Sequence, residues 1–106
     1  MSTPTVAIQT PVGKLDTPVL GGAPPLVVNE DLISGGYNVT HTRSGYCINA
    51  GPYDDANAAL AVRDAVIDLL NWRQGRLAIQ RQVKADKELR QRLIEAGLYV
   101  HQPERA

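Results

Sequence analysis

The side chains best suited to chemistry in this chain are cationic. On a continuous helix from Arg73 to Gln91, the positions Arg73, Arg76, Gln80, Lys84, Lys87 and Gln91 fall at i, i+3, i+7, i+11, i+14 and i+18, which is one face; Arg81, Arg90 and Arg92 lie off it. Long basic side chains repeated along a rigid rod can neutralise phosphates or meet an acidic protein surface. A solvated helix face has the same composition, so the spacing alone does not choose between them. Arg73, Arg76, Lys84 and Lys87 are the candidate partner-binding residues.

Groups for acid–base, nucleophilic or metal chemistry are few and scattered. His41 stands in mid-strand and His101 in the C-terminal tail, with no third ligand at metal spacing. His41 is expected to pack its ring and hydrogen-bond a neighbour. Asp54 and Asp55 are adjacent, so their carboxylates do not face each other, and a place at a helix start explains both. Cys47 is the one cysteine; it forbids an intrachain disulfide and reads as a small packed side chain. Gly21-Gly22 and Gly35-Gly36 precede no helix with a Lys-Ser/Thr ending, so neither is a phosphate loop. No catalytic residue, metal or cofactor is expected.

The 106 residues carry a formal net charge of zero, yet this neutrality is a cancellation. Residues 1–72 hold three bases against seven acids, a net of −4, and residues 73–106 hold eight bases against four acids, a net of +4. Such segregation lets the two halves attract each other or separate partners. The N-terminus has neither the basic start nor the apolar run of a secretory signal, and no apolar stretch reaches about 18 residues, so a cytoplasmic setting without a membrane role is expected.

Around these residues the periodicity outlines one small domain. Thr-Pro recurs at Thr3-Pro4, Thr10-Pro11 and Thr17-Pro18, and each proline fixes its own φ and pushes the residue before it to an extended conformation. Residues 1–25 are therefore expected to form an extended arm. Its apolar residues, Val6 and Ile8 among them, would lie along a second copy or a partner. Residues 26–98 form the α+β domain, with Leu26-Val27-Val28 as a short strand, and residues 99–106 are a tail. Tyr37, Val39, His41 and Arg43 alternate with Asn38, Thr40 and Thr42. A two-residue turn at Ser44-Gly45 would pair Arg43 with Tyr46, His41 with Ile48 and Val39 with Ala50, the Val39 face meeting a helix. That helix opens at Asp54-Asp55 and runs to about Asn71 with Ala58, Ala59, Val62, Ala65, Val66, Leu69 and Leu70 on its apolar arc. Leu60 and Ile67 fall at the edge of its polar side and suggest a second contact, the C-terminal helix or another subunit. Beyond a joint at Arg73–Arg76, Leu77 to Ala96 is helical, with Asp86 able to cap a separate last helix and Gly97-Leu98 forming a Schellman-type end.

The unit from Tyr37 to Trp72, read as Tyr-x-Val-Thr-His-x-x-Ser-Gly, then Gly-Pro-Tyr-Asp-Asp, then an Ala-rich helix ending in Trp, resembles small uncharacterised proteins encoded by bacteriophages and prophages. The resemblance covers about a third of the chain and implies an accessory protein of a mobile element, with no site residues to carry over. The sequence-based expectation is a non-enzymatic protein that binds and blocks a host protein or protein complex. An assembly protein that oligomerises through its arm, with contacts at Val6, Ile8, Leu60 and Ile67, is the alternative. A nucleic-acid-binding module using the basic helix is the third.

Overall fold

The protein is described over residues 4–98 by a computed structural model. The expected tail at 99–106, with His101, lies outside the described residues. The fold is α+β. Strands β1 (Thr5–Thr10) and β2 (Gly13–Pro18) form a hairpin, and β3 (Gly21–Ala23), β4 (Leu26–Glu30) and β5 (Tyr37–His41) form an antiparallel sheet in that order. Three helices follow: α1 (Ala56–Val66), α2 (Arg76–Ala85) and α3 (Lys87–Glu95).

Register decides what each face of the sheet buries. Leu26 lies opposite His41 and Val28 opposite Val39, while Val27 lies opposite Thr40 and Asn29 opposite Asn38. Leu26, Val28 and Val39 therefore face one core, shared with Ala59, Val66, Trp72, Ile79, Leu89, Leu93 and Leu98. Val27 faces a second, smaller core with Val6 and Ile8, flanked by Val19. Both faces of β4 and β5 are covered.

The second core corrects the expectation of an arm at residues 1–25 that stands outside the domain and lies along a second copy or a partner. Residues 5–10 and 13–18 are extended, but the chain turns at Pro11 and Val12, pairs Ile8 with Leu15 and Val6 with Thr17, and lays the hairpin on the Val27 face. Val6 and Ile8 are buried within their own chain, since a strand of this sheet offers them apolar surface without a second molecule.

The polar side chains under the hairpin satisfy one another. Thr40 Oγ1 donates to Asn29 Oδ1 at 2.5 Å, Asn49 Nδ2 to Asn38 Oδ1 at 2.9 Å, and the Val39 amide to Asn49 Oδ1 at 3.0 Å. Asn38 Nδ2 in turn reaches Asp31. Burial pushes the Asp31 carboxyl up, but the Ser34 and Ile33 amides and Asn38 together outweigh it and hold the group below its ordinary value.

The turn after β5 is longer than expected. His41 accepts from the Gly45 amide and its own amide donates to Tyr46 O, while Ile48 N donates to Val39 O. Thr40 lies opposite Cys47 in a single bridge, so the returning chain is displaced by two residues and forms no strand. A displacement of two keeps every side chain on its expected face.

Helix α1 stops at Val66 instead of near Asn71, because the Trp72 indole N–H takes the Val66 carbonyl at 2.9 Å and folds the following turn back on the core. Its buried side centres on Ala59 and Val66, and Ala58 and Ala65 are exposed. Arg63 fastens α1 to the sheet by donating to Leu26 O at 2.9 Å and Ala23 O at 3.0 Å. Asp86 divides the last helical stretch: its extended backbone ends α2, and its side chain accepts from Leu89 N at 3.0 Å to start α3. Leu98 N to Leu93 O and Gly97 N to Ile94 O, both 3.0 Å, complete the Schellman end, with Gly97 at φ 94°.

Gly45 joins hairpin to turn. It has φ 77°, accepts from Gln9 N at 2.9 Å, and a Cβ there would lie 2.8 Å from Ala7 O. Gly45→Ala should therefore strain the turn and lift the hairpin, costing about 1–3 kcal/mol in urea unfolding; an unchanged midpoint would mean that the hairpin is not docked there.

Candidate binding cleft

The basic residues do not form one rod face. Asp86 breaks the helix, Arg73 precedes the first residue of α2, and Lys87 opens a separate helix. That correction follows from the Asp86 side chain, whose hydrogen bond to Leu89 N requires its own backbone to be extended.

What the fold does bring together is a cleft along α2. Its inner part, a cavity of about 240 Å³, lies between the 44–48 turn and α2 and reaches His41, Trp72 and Leu98. Its outer part is a shallower depression that includes Lys84 and Arg90. Ile79, Gln80 and Val83 line both, so they form a common floor. Arg76 stands at the inner end with its guanidinium 4.2 Å from the centre of the Tyr46 ring, a cation–π contact that holds it over the mouth. Arg43 reaches the same corner, donating to Arg73 O at 2.9 Å, and Gly75 supplies no side-chain cap to the start of α2. From Arg76 to Lys84 the helix rises about 12 Å.

No acid engages these cations among the described residues. Among the described residues the ion pairs are Arg63–Asp64 and Arg92–Glu88. Arg90 is used differently: it donates to Val83 O at 3.0 Å and to Lys84 O, where a cation also meets the negative end of the α2 dipole. Of the four expected partner-binding residues, Arg76 and Lys84 line the cleft, Arg73 flanks its inner end through its carbonyl, and Lys87 lines neither part.

The expected oligomer contacts are met inside the chain. Besides Val6 and Ile8, Leu60 and Ile67 pack against the main core, and Leu60 Cδ1 would be 3.2 Å from a Cβ at Gly21. The second contact suggested for Leu60 is thus the β3 edge of its own sheet.

His41 closes the bottom of the cleft. It is 2 % exposed, with Nε2 2.7 Å from Trp72 O and Nδ1 2.7 Å from Ser44 Oγ. A carbonyl only accepts, so Nε2 carries a proton, and in the tautomer this selects Nδ1 faces the serine hydroxyl. Serine beside an oriented imidazole is the arrangement of an activated nucleophile. Here, however, the Gly45 amide is taken by His41 O and the Tyr46 amide by Ser44 Oγ, which leaves neither to stabilise an oxyanion beside Ser44. Cys47 is exposed and not the packed side chain expected; partial desolvation of its thiol, reinforced by the negative charge of Asp31, pushes it up, away from the thiolate that a nucleophile needs. Among the described residues no three of His, Cys, Asp and Glu come together to hold a metal ion.

Sequence reasoning did not join Tyr46, which lines the cleft, or Arg43, which braces its inner corner, to the basic residues. Their expected pairing across the turn was the available signal, but contact with Arg73 and Arg76, some thirty residues away along the chain, has no local signature. No protein family, curated protein or solved structure matches this chain.

His41→Leu keeps the bulk but strands the Trp72 carbonyl. It should cost about 1–3 kcal/mol in urea unfolding and shift the emission of Trp72, the one tryptophan. Stability and emission both equal to the parent would remove His41 as the tie between turn and helix.

Proposed function

We propose that this chain is a non-enzymatic accessory protein of phage type that binds and blocks a host protein or protein complex in the cytoplasm. The observation that carries the reading is the cleft along α2, with Ile79 and Val83 flanking Gln80 on its floor and cations at both ends that no acid of the chain engages among the described residues. Apolar surface beside unpaired charge favours a macromolecular partner of opposite sign. The resemblance of Tyr37–Trp72 to phage and prophage proteins supports the host setting. Among the described residues no helix is long and apolar enough to cross a membrane. Nucleic acid is the weaker partner, because the cleft's aromatic side chains are Tyr46, stacked with Arg76, and Trp72, which is buried.

The test is affinity capture from nuclease-treated host lysate with the parent chain and with R76E/K84E, two exposed positions whose change should leave the circular dichroism spectrum unaltered. A stoichiometric protein retained by the parent and lost by the variant is expected. Equal capture by both would remove the cleft from the binding surface.

Assembly into a homo-oligomer is the second reading, favoured by the hairpin tip and the neighbouring loop, where Val12 is 81 % and Ile33 67 % exposed. Under that reading Val12→Lys lowers the mass measured by sedimentation velocity; a parent that is monomeric at high concentration would exclude it.

A further inference from the structure

Resting on the reading of the cleft as the partner site, we infer that its occupant is an acidic amphipathic protein segment: two carboxylates about two helical turns apart, with an aliphatic side chain between them. Three features of the cleft specify this chemistry. Its inner cavity, about 240 Å³, is open to solvent-borne side chains, and Ile48, Ile79, Val83 and Leu98 form an aliphatic part of its wall beside the Tyr46 and Trp72 rings, so that part favours an aliphatic group. Its cations stand at the two ends, Arg76 inside and Lys84 outside, about 12 Å apart along α2, which matches carboxylates two turns apart on a helix. Between them Gln80 offers a neutral donor and acceptor, so the middle of the occupant carries no required charge. Arg76 is already held by the Tyr46 ring, and that preorganisation reduces the ordering cost of engaging a carboxylate. A single nucleic-acid strand would need free stacking faces between its phosphates, whereas the two rings that line the cleft are engaged, Tyr46 by Arg76 and Trp72 within the core.

Trp72 reports on occupancy because it lines the inner cavity and is the one tryptophan. The probe is a synthetic helical peptide with two glutamates two turns apart flanking a leucine pair; its controls are the same peptide with glutamines, one with lysines, and an oligothymidylate. The glutamate peptide is expected to bind the parent chain and shift Trp72 emission, and to bind R76E/K84E about tenfold or more weakly. Arg81→Glu, which lies off the cleft, should bind as the parent does. The lysine peptide should prefer R76E/K84E, a charge swap that general loss of structure cannot produce. Equal binding of glutamate and glutamine peptides, unmoved Trp72 emission, or binding of oligothymidylate alone would each overturn the inference. If the peptide fails while host capture still depends on Arg76 and Lys84, the partner reading stands and this ligand chemistry falls. If capture does not depend on them, both fall.

Discussion

A buried imidazole has to find a partner for each nitrogen inside the protein, and His41 finds them on two different parts of the chain. Nε2 meets the carbonyl of Trp72 and Nδ1 meets the hydroxyl of Ser44. The first bond fixes the segment between α1 and α2 against the end of β5, and the second fixes the turn that follows β5. These two segments carry Arg43 and Tyr46 on one side and Arg73 and Arg76 on the other. The inner end of the cleft exists because His41 draws them together, and the Trp72 indole, anchored on Val66 O, keeps that joint from being absorbed into a longer helix.

The same strand explains why the N-terminal hairpin folds back. β5 alternates Val39 and His41 with Asn38 and Thr40, and a one-sided sheet would leave the second set in water. In this fold that set is buried, which is tolerable because Thr40 pairs with Asn29 and Asn38 with Asn49. Val27 lies among these polar groups and gives Val6 and Ile8 an apolar seat. A polar network on one face and an aliphatic core on the other make the register of β4 and β5 hard to change, since a slip by one residue would put Asn29 and Thr40 into the helical core.

What could be read from the sequence was local. Asp86 and Gly97-Leu98 act through hydrogen bonds within a few residues, so their composition announces them, and the α+β class follows from strands and helices whose periods are plain. The strand alternation was legible too, but the turn was not: two residues at Ser44-Gly45 satisfy the pattern as well as the longer turn does, and the choice is made by distant groups, Trp72 O on His41 and Gln9 N on Gly45. Extended backbone in residues 5–10 and 13–18 was legible from the composition of the segment, yet whether it projects or returns depends on Val27 being free on its second face. The basic stripe was misread for a related reason. Its spacing assumed a continuous helix, and the Asp86 cap that interrupts it had to be weighed against that assumption.

Composition overstates the cationic surface because arginines differ in what they are doing. Arg63 is committed to the carbonyls of Ala23 and Leu26, and Arg90 to those of Val83 and Lys84. Their guanidinium groups, with donors in a fixed fork, act as structural clamps between elements. Among the described residues Lys84 has no such engagement, and Arg76 is held by a ring face with no acid paired to it. The eight bases of residues 73–106 therefore reduce to a few positions where charge and unfilled apolar surface coincide. It is this coincidence, more than the net of +4, that distinguishes the α2 cleft from an ordinary solvated helix.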